Sequence, residues 1–108
     1  VKVLNEVKPH FIRIRRLYIH PLSRLSEKLK TGDFREQTPE GTVLELKHLL
    51  EGLDAEGSTF ACDHANNYLL VFGRLNAEKD RMLGIIDAFL ALPESQRMAH
   101  YESIPSVI

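Results

Sequence analysis

The chain has 108 residues, 44% of them hydrophobic and 27% charged, the balance of an ordinary globular domain and far from that of a disordered segment. Fourteen Lys and Arg against fifteen Asp and Glu leave a net charge of −1, so no overall basic field exists to hold nucleic acid without regard to sequence. A single cysteine excludes an internal disulfide, an all-cysteine zinc site and iron–sulfur ligation from within this chain.

No apolar run approaches the roughly 20 residues of a membrane span, and nothing near Val1 reads as a signal peptide, so a cytoplasmic chain without a membrane partner is expected. The sequence opens on Val1 at full charge and hydrophobicity with no polar lead-in. That abrupt start suggests a piece of a longer protein.

Val3, Leu4 and Val7 fit the last turns of a helix that Pro9 stops. Phe11 to Ile19 is β-branched and aromatic and reads as a strand, with Ile12 and Ile14 on one face and Phe11, Arg13 and Arg15 on the other. His20-Pro21 ends it. Leu22, Leu25 and Leu29 then recur at helical spacing up to Gly32, with Lys28 and Lys30 near the helix's negative end. Asp33 to Gln37 reads as a connecting loop.

Thr38-Pro39-Glu40 is a helix start: an N-cap hydroxyl, proline in the first turn and an acid beside it. Val43, Leu46, Leu50 and Leu53 make the apolar stripe, widened by Leu49, with Lys47 and Glu51 on the wet side. Ser58 to Cys62 is a second short strand, followed by turn chemistry from Asp63 to Asn67. Tyr68 to Phe72 is an apolar run closed by Gly73, either strand or buried loop. Asn76 is placed to cap a further helix with Met82, Ile85, Ile86, Phe89 and Leu90 as its stripe, ended by Pro93. Glu94 to Tyr101 can add an amphipathic turn or two, and the tail from Ser103 reads as frayed. The expected fold is a predominantly helical α/β unit with two to three short strands and four helices, its sheet incomplete without partners.

Few residues stand out as chemistry. The five histidines fall at 10, 20, 48, 64 and 100, with no helical metal spacing between any pair. No phosphate-cradling glycine loop, nucleophile elbow or paired-carboxylate motif occurs. Cys62 to Tyr68 is denser: thiol, carboxylate, imidazole, two amides and a phenol follow directly on a strand, where α/β proteins place ligand contacts. Its plainer reading is a turn whose side chains satisfy backbone groups. Arg13 and Arg15 share one strand face. Facing an enclosed cavity they can grip a carboxylate or phosphate; facing solvent they are an ordinary wet face with nearby ion pairs.

Phe60-Ala61-Cys62-Asp63-His64-Ala65-Asn66-Asn67-Tyr68-Leu69, with Gly73-Arg74-Leu75 and Lys79-Asp80 after it, resembles the C-terminal part of a group of radical SAM iron–sulfur oxidoreductases. Pro9-His10-Phe11-Ile12-Arg13-Ile14-Arg15 is similar to the strand that completes their partial barrel, and Gly32-Asp33-Phe34 with the 38–53 helix continues the likeness over roughly residues 4–92. The chain departs from the group's pattern at His20-Pro21-Leu22-Ser23, Asn66, Leu70, Phe72 and Asn76. It also lacks the Cys-x-x-x-Cys-x-x-Cys motif, which in that group lies upstream.

The resemblance implies a C-terminal fragment of a partial (β/α) barrel forming a single unit over 1–108. Residues 1–20 hold the last barrel strand, and 21–108 form a helical extension with a short strand and the Asp63-to-Leu69 loop. It implies S-adenosylmethionine and a 4Fe–4S cluster for the parent enzyme, neither bound by this chain alone, and makes the parent's N-terminal remainder the main partner. Arg13 and Arg15 would then face the lumen and hold S-adenosylmethionine or an anionic substrate, while His64, Asn67 and Tyr68 order the capping loop or touch substrate. A different reading is a free-standing interaction module that self-associates through exposed apolar surface, with Leu69 to Phe72 as an edge strand.

Overall fold

The structure, a computed structural model, describes residues 1–15, 23–32, 35–64 and 67–105. The elements are α1 (Lys2–Val7), β1 (Phe11–Arg13), α2 (Arg24–Thr31), α3 (Pro39–Gly52), β2 (Thr59–Cys62), β3 (Val71–Arg74), α4 (Lys79–Leu90) and α5 (Glu94–Ser103). The described residues thus form a small α/β fold, about half helical, with five helices where four were expected. The fifth is α1, where Val3, Leu4 and Val7 read as the end of a helix; its C-cap Lys8 takes the left-handed conformation just before Pro9. No helix among the described residues is long and apolar enough to cross a membrane.

The sheet has the order β1-β2-β3, parallel between β1 and β2 and antiparallel between β2 and β3. Register aligns Phe11, Thr59 and Arg74 in one row across the strands, Ile12, Phe60 and Gly73 in the next, and Arg13, Ala61 and Phe72 in the third. Because side chains alternate along a strand, the middle row faces one side and the outer two the other. Ile12, Phe60 and Val71 are buried on the inner side, while Phe11 and Phe72 are 60% and 54% exposed on the outer one.

The inner side is covered mainly by α3 and α4. Thr38 caps α3 as its sequence demands, its hydroxyl oxygen accepting the Gly41 N–H at 3.0 Å. Val43, Leu46, Leu50 and Leu53 are all buried, and Leu49 packs at the margin. Lys47, expected on the wet side, reaches across to Asp87 of α4 at 2.8 Å, which holds its ammonium above the usual lysine range. At the far end of α3 the Lys79 ammonium donates to the carbonyls of Glu51, at 3.0 Å, and Leu53, a cation on the negative pole of a helix. α5 is tied to the start of α3 by Arg97 Nε against Glu40 Oε1 at 2.5 Å.

Four expectations need correction. Gly73 does not close the apolar run; it sits inside β3, because α4 crosses so close that a Cβ there would lie 2.8 Å from Arg81 Nη2 and 3.0 Å from Met82 Sδ. Asn76 does not cap α4, whose N-cap is Glu78 without a side-chain bond. Its amide instead bridges back to the end of α3, accepting the Ala55 N–H at 3.2 Å and donating to Asp54 Oδ1 at 2.8 Å. Ile85 leaves the apolar stripe and is 39% exposed, whereas Met82, Ile86 and Phe89 are buried. The first strand is assigned only over Phe11–Arg13. Ile14 and Arg15 follow it outside the strand, and its expected continuation over 16–19, the His20-Pro21 stop, Leu22, Asp33-Phe34, Ala65-Asn66 and the tail from residue 106 lie outside the described residues. Gly32 does end α2, at φ +85°, where a side chain would be strained.

Candidate functional site

The residues singled out from sequence converge on one end of the sheet, where β1 ends beside the loop that joins β2 to β3. Arg13 leaves the outer face of β1 with its guanidinium 3.9 Å from Asp63 and 69% of its side chain exposed. Arg15 is also exposed, two residues on and past the end of β1. Arg13 therefore lies on the outer side of the sheet, the side opposite the core.

Asn67 goes the other way. It is buried, and its Nδ2 donates to the Ile14 carbonyl at 2.9 Å and to Cys62 Sγ at 3.3 Å, while its backbone N–H donates to the His64 carbonyl at 2.9 Å. One side chain thus stitches the end of β1, the end of β2 and the turn together. This is the backbone-satisfying role that Asx-rich turns serve.

Cys62 lies beneath the same turn. Its thiol donates to the Leu69 carbonyl at 3.4 Å, and burial, reinforced by the neighbouring Asp63 carboxylate, pushes its pKa up to about 11. At neutral pH it is a neutral, occupied thiol, unsuited to nucleophilic attack.

His64 and Tyr68 are half-buried at the rim of the turn. The Tyr68 ring meets Tyr101 edge-on at 5.2 Å, and its carbonyl accepts from His100 Nε2 at 2.5 Å. His100, unremarkable by spacing, therefore anchors the loop from α5, with Phe89 packed edge-on against it at 5.1 Å. The loop is consequently ordered from two sides, by Asn67 from β1 and by α5 from behind. The structure brings Arg13, Arg15, Asp63 and the Asn67 turn to one end of the sheet, and directs Tyr68 toward α5 instead.

Two features escaped sequence reasoning. Arg74 joins the same exposed face as Arg13, from the opposite edge strand, two residues after exposed Phe72. The signal that could have found it was the alternation of Leu70, Phe72 and Arg74, hidden once Gly73 was taken as a terminator. The second is the treatment of the β3 edge. Phe72's carbonyl accepts from Arg81 Nη2 at 2.7 Å, and the Arg74 N–H donates to Glu78 Oε1 at 2.9 Å, with Arg81 and Glu78 themselves paired at 3.1 Å.

Among the described residues no group of three His, Cys, Asp or Glu side chains could hold a metal ion. Cys62 is buried, with its thiol bonded to the Leu69 carbonyl. No protein-family model matches the sequence, no curated protein matches it, and no solved structure matches the fold.

Proposed function

We propose that this chain is the C-terminal segment of a radical SAM iron–sulfur enzyme, completing its partial barrel and closing the side of its active site, without catalytic competence alone. The observation that carries this reading is the unequal treatment of the two sheet edges. Thr59 donates to the His10 carbonyl at 2.7 Å and Ile14 to the Ala61 carbonyl at 2.8 Å, so the peptide groups of Phe11 and Arg13 point away from β2. Among the described residues no strand pairs with that side of β1. The opposite edge, at β3, is capped by Arg81 and Glu78.

An exposed strand edge is a template for pairing, and proteins ordinarily blunt the edges they do not use. Here the blunted edge is the one a C-terminal segment would turn outward, and the open one is where a preceding barrel strand would join. In this reading the outer face of the sheet looks into the barrel, where Arg13 and Arg15 hold S-adenosylmethionine or an anionic substrate. His64, Asn67 and Tyr68 order the loop at its mouth. The cluster, bound by cysteines of the N-terminal remainder, would supply the electron that cleaves S-adenosylmethionine to a radical.

The test is the intact mass of the polypeptide as its organism makes it. The expected result is a mass several times 12.3 kDa, with a Cys-x-x-x-Cys-x-x-Cys motif in the added N-terminal part. A mass near 12.3 kDa overturns the reading and leaves a self-associating interaction module in its place.

A further inference from the structure

The outer face of the sheet carries a chequered pattern that neither core packing nor the edge pairing explains. Its rows read Phe11–Thr59–Arg74 and Arg13–Ala61–Phe72, so each edge strand offers one phenylalanine and one arginine on the same side. The central column holds Thr59, partly buried, and Ala61, fully buried, and the two ridges beside it stand about 10 Å apart, twice the strand spacing. Within each ridge the phenylalanine and arginine are two residues apart, a separation of about 7 Å. Phe11 and Phe72 are more than half exposed, and Arg13 and Arg74 are exposed beside them.

Exposed phenylalanines on a sheet are stacking platforms for planar rings, and arginine is the side chain best shaped to pair with phosphate. A ring on the phenylalanine places an attached phosphate near the arginine of the same ridge. The charge on this face is also segregated. Arg13, Arg15 and Arg74 gather here with Asp63 as the acid paired to one of them, although the whole chain is net −1. Glu78, near the β3 end, is turned to the Arg81 guanidinium and the Arg74 peptide.

Of the two ridges, Phe72–Arg74 is the better site: Arg13 is paired with Asp63 at 3.9 Å, whereas the Glu78 carboxylate near Arg74 is bonded to the Arg74 N–H and paired with Arg81, and the Arg74 charge is the weakest influence on it. A polymeric partner is disfavoured because the chain lacks the broad basic field that holds a phosphate backbone.

We infer that the outer sheet face binds a small phosphorylated molecule bearing a planar ring, a nucleoside monophosphate in its simplest form, with the ring on Phe72 and the phosphate on Arg74. Placing this face inside a barrel rests on the reading above, where it makes the ligand a substrate; the binding itself does not require that reading. The two ideas therefore fail separately, one by mass and the other by titration.

The experiment is a titration of the isotope-labelled chain with adenosine monophosphate, followed by amide chemical shifts. Parallel titrations use adenosine, inorganic phosphate and a uridine tetranucleotide. Saturable shifts confined to Thr59, Ala61 and Val71–Arg74 are expected for the monophosphate, with weaker ones for adenosine and for phosphate. Phe72→Ala is expected to weaken binding about tenfold, the size of one lost ring stack. Arg74→Ala should weaken the monophosphate but not adenosine, and Arg24→Ala, on exposed α2, should change nothing. Absence of shifts up to about 10 mM ligand overturns the inference, since a site weaker than that contributes under about 3 kcal/mol of binding. So does equal binding of phosphate alone, which would make Arg74 a bare anion contact, or markedly tighter binding of the tetranucleotide.

Discussion

β1 and β3 flank the same central strand, yet they belong to differently finished parts of the molecule. β3 continues through Leu75 into α4, which buries Met82, Ile86 and Phe89 on the sheet and sends Arg81 and Glu78 back to the outer backbone of β3. β1 is preceded by α1, which buries no residue, and contributes Ile12 to the core; Val3, Val7 and Phe11 remain exposed around it. The β3 flank has the outward Phe72 carbonyl and Arg74 N–H bonded by side chains of its own following segment, although Leu70 and Phe72 stay exposed, whereas the β1 flank is held by a few polar ties. Asn5 is one, bridging the Gly52 carbonyl at 3.1 Å and the Asp54 N–H at 2.7 Å. Asn67 is another. What the contrast teaches is that the two edges of one sheet can be finished differently, one bonded by side chains of the segment that follows it and the other, among the described residues, with no strand paired to it.

The harshest way to break the comparison is to remove what both flanks share. Phe60 is fully buried in β2, between Ile12 and Gly73 in register. Phe60→Ala should cost about 3–5 kcal/mol by lost burial and the cavity left behind. Urea unfolding should show that loss, and amide exchange in β1 and β3 should accelerate together. If β3 and α4 keep their protection while β1 loses it, the two flanks do not share one cooperative core.

A milder substitution should separate them. Asn67→Ala removes the donor to the Ile14 carbonyl and to Cys62 Sγ at a buried position, a loss of about 1–3 kcal/mol. Exchange at Ile14 should rise, because its N–H bond to Ala61 lies next to the lost tie, while Val71 and Gly73 stay protected. Equal acceleration on both sides would contradict the independence of the flanks. Retained protection at Ile14 would show that the tie is dispensable.

How much of this was legible in the residues depended on how local the deciding interaction is. α3 could be read entire, because its cap and its stripe lie within its own sequence: Thr38 to Gly41, and Val43 to Leu53. Gly73 could not. Its place in β3 is decided by α4 crossing above it, a contact between segments about ten residues apart that composition does not encode. Asn76 has cap chemistry and uses it, but on Ala55 and Asp54 of another segment. The candidate site divides the same way. That Arg13 and Arg15 share one face followed from alternation; that the face is exposed did not, since the same pattern fits an enclosed cavity. The burial of Asn67 and the partnership of His100 with Tyr68 depend on β1 and α5 arriving at the loop, and no spacing announces that.

The smallest expected effect bears on the capped edge itself. Glu78 is held below its ordinary carboxylate value of 4.5, chiefly by the Arg74 N–H that it accepts, with burial opposing this and the Arg81 and Arg74 guanidinium charges adding to it. A carboxyl whose folded-state pKa is lowered adds stability that is present above its unfolded value and lost as pH falls through the lowered one. Nothing should therefore change between neutral pH and 4.5, and the contribution should fade only below that. Because the group sits at the surface, the loss in overall stability should be slight. Its visible consequence lies at the edge: protonation weakens the bond to Arg74, frees Arg81 from its partner, and exposes the β3 backbone for pairing. Sedimentation from neutral pH down to about pH 3, well under the ordinary Glu value, should show added self-association in acid. The Arg74 amide resonance should titrate over the same range. Glu78→Ala should reproduce the acid behaviour at neutral pH, and Phe72→Pro, which cannot offer a backbone N–H at that edge, should suppress it. If Glu78→Ala and the acid-treated chain both keep the oligomeric state of the neutral chain, the side-chain cap is not what guards β3. The difference between the two edges would then have to come from the shape of the strand alone.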